Sequence, residues 1–292
     1  MRSAPIQLTT QLHRFYESRA GRGQPLALLI VVATTGSTYS KAGQVMFADA
    51  GGETEGMLSG GCLEGDLAER AKAAIESGTA QVAEYDLVDD DELFGLGVGC
   101  EGAMYVLVQP LGKDDDYAPV SGLLEQLQSS CSVDVDLATF GSSLRPDLAY
   151  TSVRIERPKR VLILGGGSDA SPIVDFAGTL GWHVRVVDRS VDDDDVPGII
   201  AEGDYDAAIV KNHNLQRDRE HLRLLAPASI PFIGLLGPPR RCARVLDDCA
   251  DIADALGDRL QTPVGRRIGG RGPAAIALEI VAELQAFFTL PR

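Results

Sequence analysis

Residues 161–170 read Val161-Leu162-Ile163-Leu164-Gly165-Gly166-Gly167-Ser168-Asp169-Ala170. Four apolar side chains in a row suit a strand buried on both faces, and the six residues after them have the form G-x-G-x-x-A. In that form Gly165 allows the tight turn, Gly167 lets backbone approach a pyrophosphate, and small Ala170 permits close packing of a helix on the sheet. A phosphate there would meet the free amides of a helix N-terminus, although Asp169 would repel it. Asp188 lies eighteen residues beyond Ala170 and closes the next apolar run, 184–187, where an acid commonly holds a ribose hydroxyl. Further runs at 207–210 and 232–236 are each followed by helical periodicity. Pro273 is well placed to start a last helix over 274–288. Strands alternating with helices predict an α/β class, with a Rossmann-like doubly wound parallel sheet over residues 158–292.

Upstream, residues 1–112 alternate short apolar runs with glycine-rich breaks and predict an N-terminal α/β domain. Strands are expected at 26–33, 45–48 and 104–108. A helix over 63–75 would carry Leu63, Leu67, Ala71, Ala74 and Ile75 on one face. The weaker pattern of 113–157 reads as a structured connector, with a helix near 122–127 and a strand pair at 133–137 and 152–155.

The chain has 292 residues and a net charge of −15, with 45% hydrophobic content. That balance buries a core and disfavours nucleic acid or anionic membrane as partners. The acidic runs 89–92, 114–116 and 192–195 read as solvated loops. The longest apolar run, 26–33, is far short of a membrane span. No secretory signal is evident and the five cysteines are sparse, so a reducing cytoplasm is the expected address.

Two cysteines stand between glycines. Cys62 lies in Ser59-Gly60-Gly61-Cys62-Leu63-Glu64-Gly65, just before the 63–75 helix, where a helix dipole favours thiolate. Cys100 lies in Gly97-Val98-Gly99-Cys100-Glu101-Gly102. They read either as paired ligand or sulfur-handling positions or as two small buried hydrophobes, and their spacing matches no zinc pattern. Cys242 and Cys249 share a helical stripe with Val245 and Leu246 and belong to a core. His213 follows the 207–210 strand at the sheet end where open α/β sheets bind ligands. It reads as a ligand residue or as a plain loop histidine, and Asp218, five residues on, as a helix-surface acid. His13 and His221 are expected at the surface. Arg240 and Arg241 sit at the same sheet end, as an anion clamp or as solvated side chains.

Taken together, several segments resemble the XdhC/CoxI family, the maturation factors of xanthine dehydrogenase and carbon monoxide dehydrogenase. They are Gly36-Ser37-Thr38-Tyr39 with Lys41 and Gly43, Leu58 through Glu64, Tyr85-Asp86, Gly97 through Gly102, and Leu164 through Ala170. Leu180-Gly181-Trp182, Val186 through Arg189, His213 with Asp218, Ile233 through Pro238 with Arg241, and Ile276 through Glu283 complete the set. The resemblance implies a chaperone that binds the molybdenum cofactor, as molybdopterin or its dinucleotide form. It would protect that cofactor, assist its sulfuration with a cysteine desulfurase, and insert it into the large subunit of an apo molybdenum hydroxylase. Cys62 and Cys100 are then the candidates nearest the metal or its sulfur, with Gly60, Gly61 and Gly99 beside them. Gly165, Gly167, Asp188, His213 and Arg241 are candidates at the phosphate end.

Such a protein need not turn over, so a non-enzymatic maturation factor is expected, with a homodimer as the default assembly. Two alternatives stand: an NAD-dependent oxidoreductase built on the Rossmann half, and a ligand-free docking protein for one subunit of a molybdenum enzyme. Near the C-terminus the family favours G-L-D-I-G and then T-P-E-E-I-A. Here Arg267 replaces the acid, and Ala274 and Ala275 replace the two glutamates.

Overall fold

The computed structural model describes residues 6–86, 102–150, 152–188, 190–191 and 193–290. The chain divides into two compact units, Met1–Arg157 and Pro158–Arg292. Segment 113–157, expected as a connector, folds into the first of them.

The first unit opens with β1 (Ile6–Gln7), α1 (Thr10–Ala20), β2 (Leu26–Gly36), β3 (Val45–Asp49), β4 (Thr54–Gly56) and α2 (Glu64–Ser77). It continues with β5 (Gln81–Asp86), β6 (Gly102–Leu111), α3 (Val120–Ser129), β7 (Ser132–Asp136), α4 (Ala138–Gly141) and β8 (Ser152–Glu156). Its main sheet is antiparallel, in the order β4-β3-β2-β6-β5. β2 is central, and both of its faces are covered. Leu26, Leu28, Ile30 and Val32 pack under α1, α3 and the small sheet β1-β8-β7. Ala27, Leu29 and Val31 pack with Leu67, Ala71 and Ala74 of α2 on the opposite face. The unbroken apolar run of β2 follows from that double burial, since a strand wet on one side would alternate.

The second unit runs β9 (Arg160–Leu164), α5 (Ser171–Thr179), β10 (His183–Val187), α6 (Val196–Glu202), β11 (Ala207–Val210) and α7 (Leu215–Leu225). It ends with β12 (Ile233–Leu235), α8 (Pro239–Asp247), α9 (Ala253–Leu256), β13 (Leu260–Gln261) and α10 (Pro273–Thr289). All pairings are parallel, in the order β10-β9-β11-β12-β13, the doubly wound Rossmann-like sheet expected. Val161 and Ile163 face a core closed by α5 and α10, while Leu162 and Leu164 face one closed by α6, α7 and α8. Cys242, Val245 and Cys249 are buried in that second core. Chain order reverses at β9, whose neighbours are β10 and β11. The crevice outside their carboxyl ends is where such sheets hold ligands. Among the described residues no helix is long and apolar enough to cross a membrane.

Candidate functional site

In the second unit the residues after β9, β10 and β11 meet at the reversal. Gly165 has φ +122°, and a Cβ there would lie 2.6 Å from the Lys211 carbonyl oxygen, so the turn after β9 lies directly against the loop after β11. Gly166 faces Asp188: an added Cβ would fall 2.1 Å from the Asp188 Cβ. The Gly165 amide donates to Val187 O, while the amides of Gly166, Gly167 and Ser168 take no partner among the described residues. They form the opening that a phosphate needs. A shallow cleft beside the turn is lined by Gly165, Gly166, Asp188, Asn212, His213, Arg217 and His221.

Charge at this site is largely paired from below. Lys211 is almost wholly buried and donates to Gly165 O at 3.2 Å and to Asp169 Oδ1 at 2.8 Å. The other oxygen of Asp169 lies 3.3 Å from His213 Nε2. Burial pushes the Asp169 carboxyl up, but the Lys211 hydrogen bond and charge, with His213, bring it below its usual value. Asp169, read from the sequence as a repelling acid, has its charge balanced by buried Lys211. Asp188 is also held low, by the hydroxyl and amide of Ser190 on Oδ1; its Oδ2 takes no partner among the described residues.

A second network lies behind the first. Asp218, expected on a helix surface, is fully buried, and so is His221. Asn212 donates its amide and side chain to Asp218 Oδ1 at 3.1 and 3.2 Å, and its Nδ2 sits 2.9 Å from His221 Nδ1. Arg241 reaches Asp218 Oδ2 at 2.5 Å and also donates to Leu236 O and Asn212 O. Burial pushes the Asp218 carboxyl up and Arg241 holds it back. Arg241 therefore braces the loop that carries His213 from within. An ion pair spanning 23 residues of sequence gives no periodic signal, which is why the sequence missed Asp218, Asn212 and Lys211.

In the first unit the glycine-cysteine loop precedes α2. One carboxylate organises it: Glu64 accepts from Leu58 N, Ser59 N, Ser59 Oγ and Gly61 N at 2.9, 2.8, 2.5 and 2.9 Å. Ser59 Oγ in turn accepts from Leu63 N at 2.7 Å. Burial raises the Glu64 carboxyl, but these donors outweigh it and hold the group below its usual value. The amides of Leu58, Ser59 and Gly61, in the loop that leads to α2, are bound by Glu64. Gly60 and Gly61 have φ +79° and +107°, conformations that side chains resist. Cys62 is exposed and free. Tyr39, 65% exposed, lies over Gly60, whose Cβ would be 3.2 Å from its ring.

Gly102 opens β6 opposite Gly36 at the end of β2, three residues before Tyr39. Gly99 and Cys100, like the rest of 87–101, lie outside the described residues. Cys62 is the one thiol that the described part of this loop offers a metal. Among the described residues no three His, Cys, Asp or Glu side chains converge as a resident metal site.

Comparison with known proteins adds a lineage. A family described as XdhC and CoxI matches residues 20–86, and the XdhC Rossmann domain matches residues 161–284. A protein of Bacillus subtilis (strain 168), named as a probable component of xanthine dehydrogenase, is 27% identical over 306 aligned positions, covering 88% of this chain and 91% of that protein. A crystal structure titled as a xanthine dehydrogenase from Bacillus halodurans superposes with a TM-score of 0.73 at 24% identity. The superposition covers 96% of this chain and 95% of that one, and shows a shared fold.

Proposed function

The chain belongs to the XdhC and CoxI family, and on that premise we propose that it carries the molybdenum cofactor as cargo for a xanthine dehydrogenase- or carbon monoxide dehydrogenase-type enzyme. Family membership implies an accessory role toward such an enzyme. The finer reading gives each unit one task. Cys62, with Cys100, meets the metal or its terminal sulfur, since thiolates are soft ligands and persulfide carriers. The open amides of Gly166, Gly167 and Ser168 take the phosphate. The partners are a cysteine desulfurase and the large subunit of the apo-enzyme.

The observation that carries this reading is the exposed thiol of Cys62 on a loop already fixed by one carboxylate. A preorganised loop presents a donor without an ordering cost at the moment of binding. The test is anaerobic purification after co-expression with cofactor synthesis, followed by oxidative release of fluorescent pterin. Wild-type protein is expected to carry pterin, and Cys62→Ala and Cys100→Ala to carry less. Wild-type protein without pterin would end the proposal.

The open oxygen of Asp188 favours a second reading, in which the Rossmann half holds a nicotinamide dinucleotide. It predicts a rise in Tm with NAD that exceeds the rise with NADP, whose 2′-phosphate Asp188 would repel.

A further inference from the structure

Among the described residues of the first unit, three large apolar side chains are exposed: Tyr39, Met57 and Leu144. Two of them meet at the glycine-cysteine loop, where Tyr39 Oη donates to Met57 Sδ at 3.9 Å. A fixed turn presents Tyr39 there. Its neighbours Thr38 and Ser40 are both buried, and the Thr38 hydroxyl donates to Ser40 O at 2.6 Å, tying together the chain on either side of the ring. Lys41 Nζ donates to the same hydroxyl at 3.3 Å. The ring itself rests on main chain. A Cβ at Gly60 would lie 3.2, 3.4 and 3.5 Å from three consecutive ring carbons, the spacing of an atom over the face of the ring rather than beyond its edge. Gly60 therefore seats one face of Tyr39, and at 65% exposure the other face is open.

Aromatic side chains bury most of their surface in folded proteins. Here a turn, a glycine and a thioether hold the ring still with one face toward solvent, and the exposed Cys62 follows Gly60 by two residues. We propose that Tyr39 is a stacking platform for the flat aminopyrimidinone ring of the cargo's pterin, on the same loop surface that offers the Cys62 thiol to its soft end. Stacking on an aromatic face draws on the π-surface of the ligand and needs no enclosing pocket, which suits a cargo that must be handed on. A platform already held in place also loses little conformational freedom when the ligand arrives. Gly60 is part of the device, because any side chain there would enter the space of the Tyr39 ring. The inference rests on the first unit meeting the cargo, as in the function proposed above.

The probes are neopterin, which carries that ring without metal or phosphate, and guanosine, which carries the same ring within a nucleobase. Neopterin is titrated with the full-length protein and followed by quenching of its emission and by proton NMR; guanosine is measured by competition. Wild type is expected to bind neopterin at least as tightly as guanosine and to shift its ring proton upfield, as a proton over an aromatic face is shifted. Tyr39→Ala should weaken neopterin by about tenfold and abolish the upfield shift. Tyr39→Phe keeps the face and loses only the contact with Met57, so it should stay within about threefold of wild type and keep the shift. The Tyr39 side chain is exposed, and circular dichroism checks that each variant folds. Wild type that does not bind neopterin or binds it without the upfield shift, or Tyr39→Ala that binds it as wild type does, overturns the proposal. Guanosine bound more tightly than neopterin overturns it in favour of a nucleobase. Tyr39→Ala that keeps neopterin binding but no longer activates the client enzyme overturns it in favour of a protein contact. Pterin retained equally by wild type and Tyr39→Ala on anaerobic purification refutes the platform alone. Protein that stacks neopterin on Tyr39 but never carries pterin refutes the cargo reading alone.

Discussion

Arg241→Ala removes the cation that, among the described residues, pairs with the fully buried Asp218 carboxylate. Asp218 keeps the two hydrogen bonds from Asn212, but its Oδ2 is left against space that water enters. Breaking a buried pair from one side costs about 3–5 kcal/mol. Two retained donors and a partly exposed arginine put the expected loss at the low end, about 3 kcal/mol at pH 7.5. Trp182, the only tryptophan of the chain, is buried in the core of the second unit against Phe288. Its fluorescence during urea unfolding therefore reports the unit that is changed.

The pH dependence has a definite sign. Burial raises the folded Asp218 pKa, and loss of Arg241 raises it further. A raised carboxyl leaves stability intact below its unfolded pKa, about 4, and removes stability as pH climbs through the folded value. The Arg241→Ala loss should therefore be smaller at pH 5 than at pH 8, by about 1 kcal/mol or more. Adding Asp218→Asn should recover part of it. A loss under about 1 kcal/mol, or one that grows toward acid, would refute the reasoning.

Glu64→Ala should cost about 2 kcal/mol, four charge-assisted bonds being discounted for a half-exposed carboxylate; urea unfolding followed by circular dichroism measures it. Because the folded Glu64 pKa is depressed, its contribution is present above the usual carboxylate pKa and fades as pH falls through the folded one. The same change frees loop amides beside Cys62, so alkylation of that thiol at pH 7 should quicken in the variant. Gly166→Ala forces the turn away from Asp188 and should cost about 2 kcal/mol or more, with less pterin retained on anaerobic purification. Lys211→Met leaves Asp169 facing only His213. It should raise the Asp169 pKa, read by carboxyl NMR titration, and lower stability most at neutral and alkaline pH.

The parallel unit was legible because each strand is a short apolar run bounded by glycine or an acid. Expected strands 161–164, 184–187 and 207–210 differ from the observed ones by at most one residue. In the first unit β2 read as a buried strand, and its partners β3 and β6 read as strands at 45–48 and 104–108, yet their antiparallel pairing was not legible, because burial on both faces erases the alternation that marks such a sheet. Segment 113–157 looked weak because its strands are short and half-wet: Ser132–Asp136 exposes Asp134 and Asp136. Its helix, by contrast, buries Val120, Leu124 and Leu127 at regular spacing. Site chemistry was legible where it is local. Gly60, Gly61, Gly165, Gly167 and Asp188 lie at the element ends where the sequence put them. Burial of Asp218 and His221 depends on Arg241 arriving from α8 and Asn212 from the loop after β11, and a helix sequence with many charged residues, Leu-Gln-Arg-Asp-Arg-Glu-His, reads as solvated from the chain alone.

The near-contact of Gly166 with Asp188 joins two recognition elements that are usually varied one at a time. A lineage that enlarges the turn must also relocate the backbone at the tip of the neighbouring strand. A side chain at position 166 should therefore arise only together with a glycine or a backbone shift at position 188, whereas the exposed acid itself can vary alone.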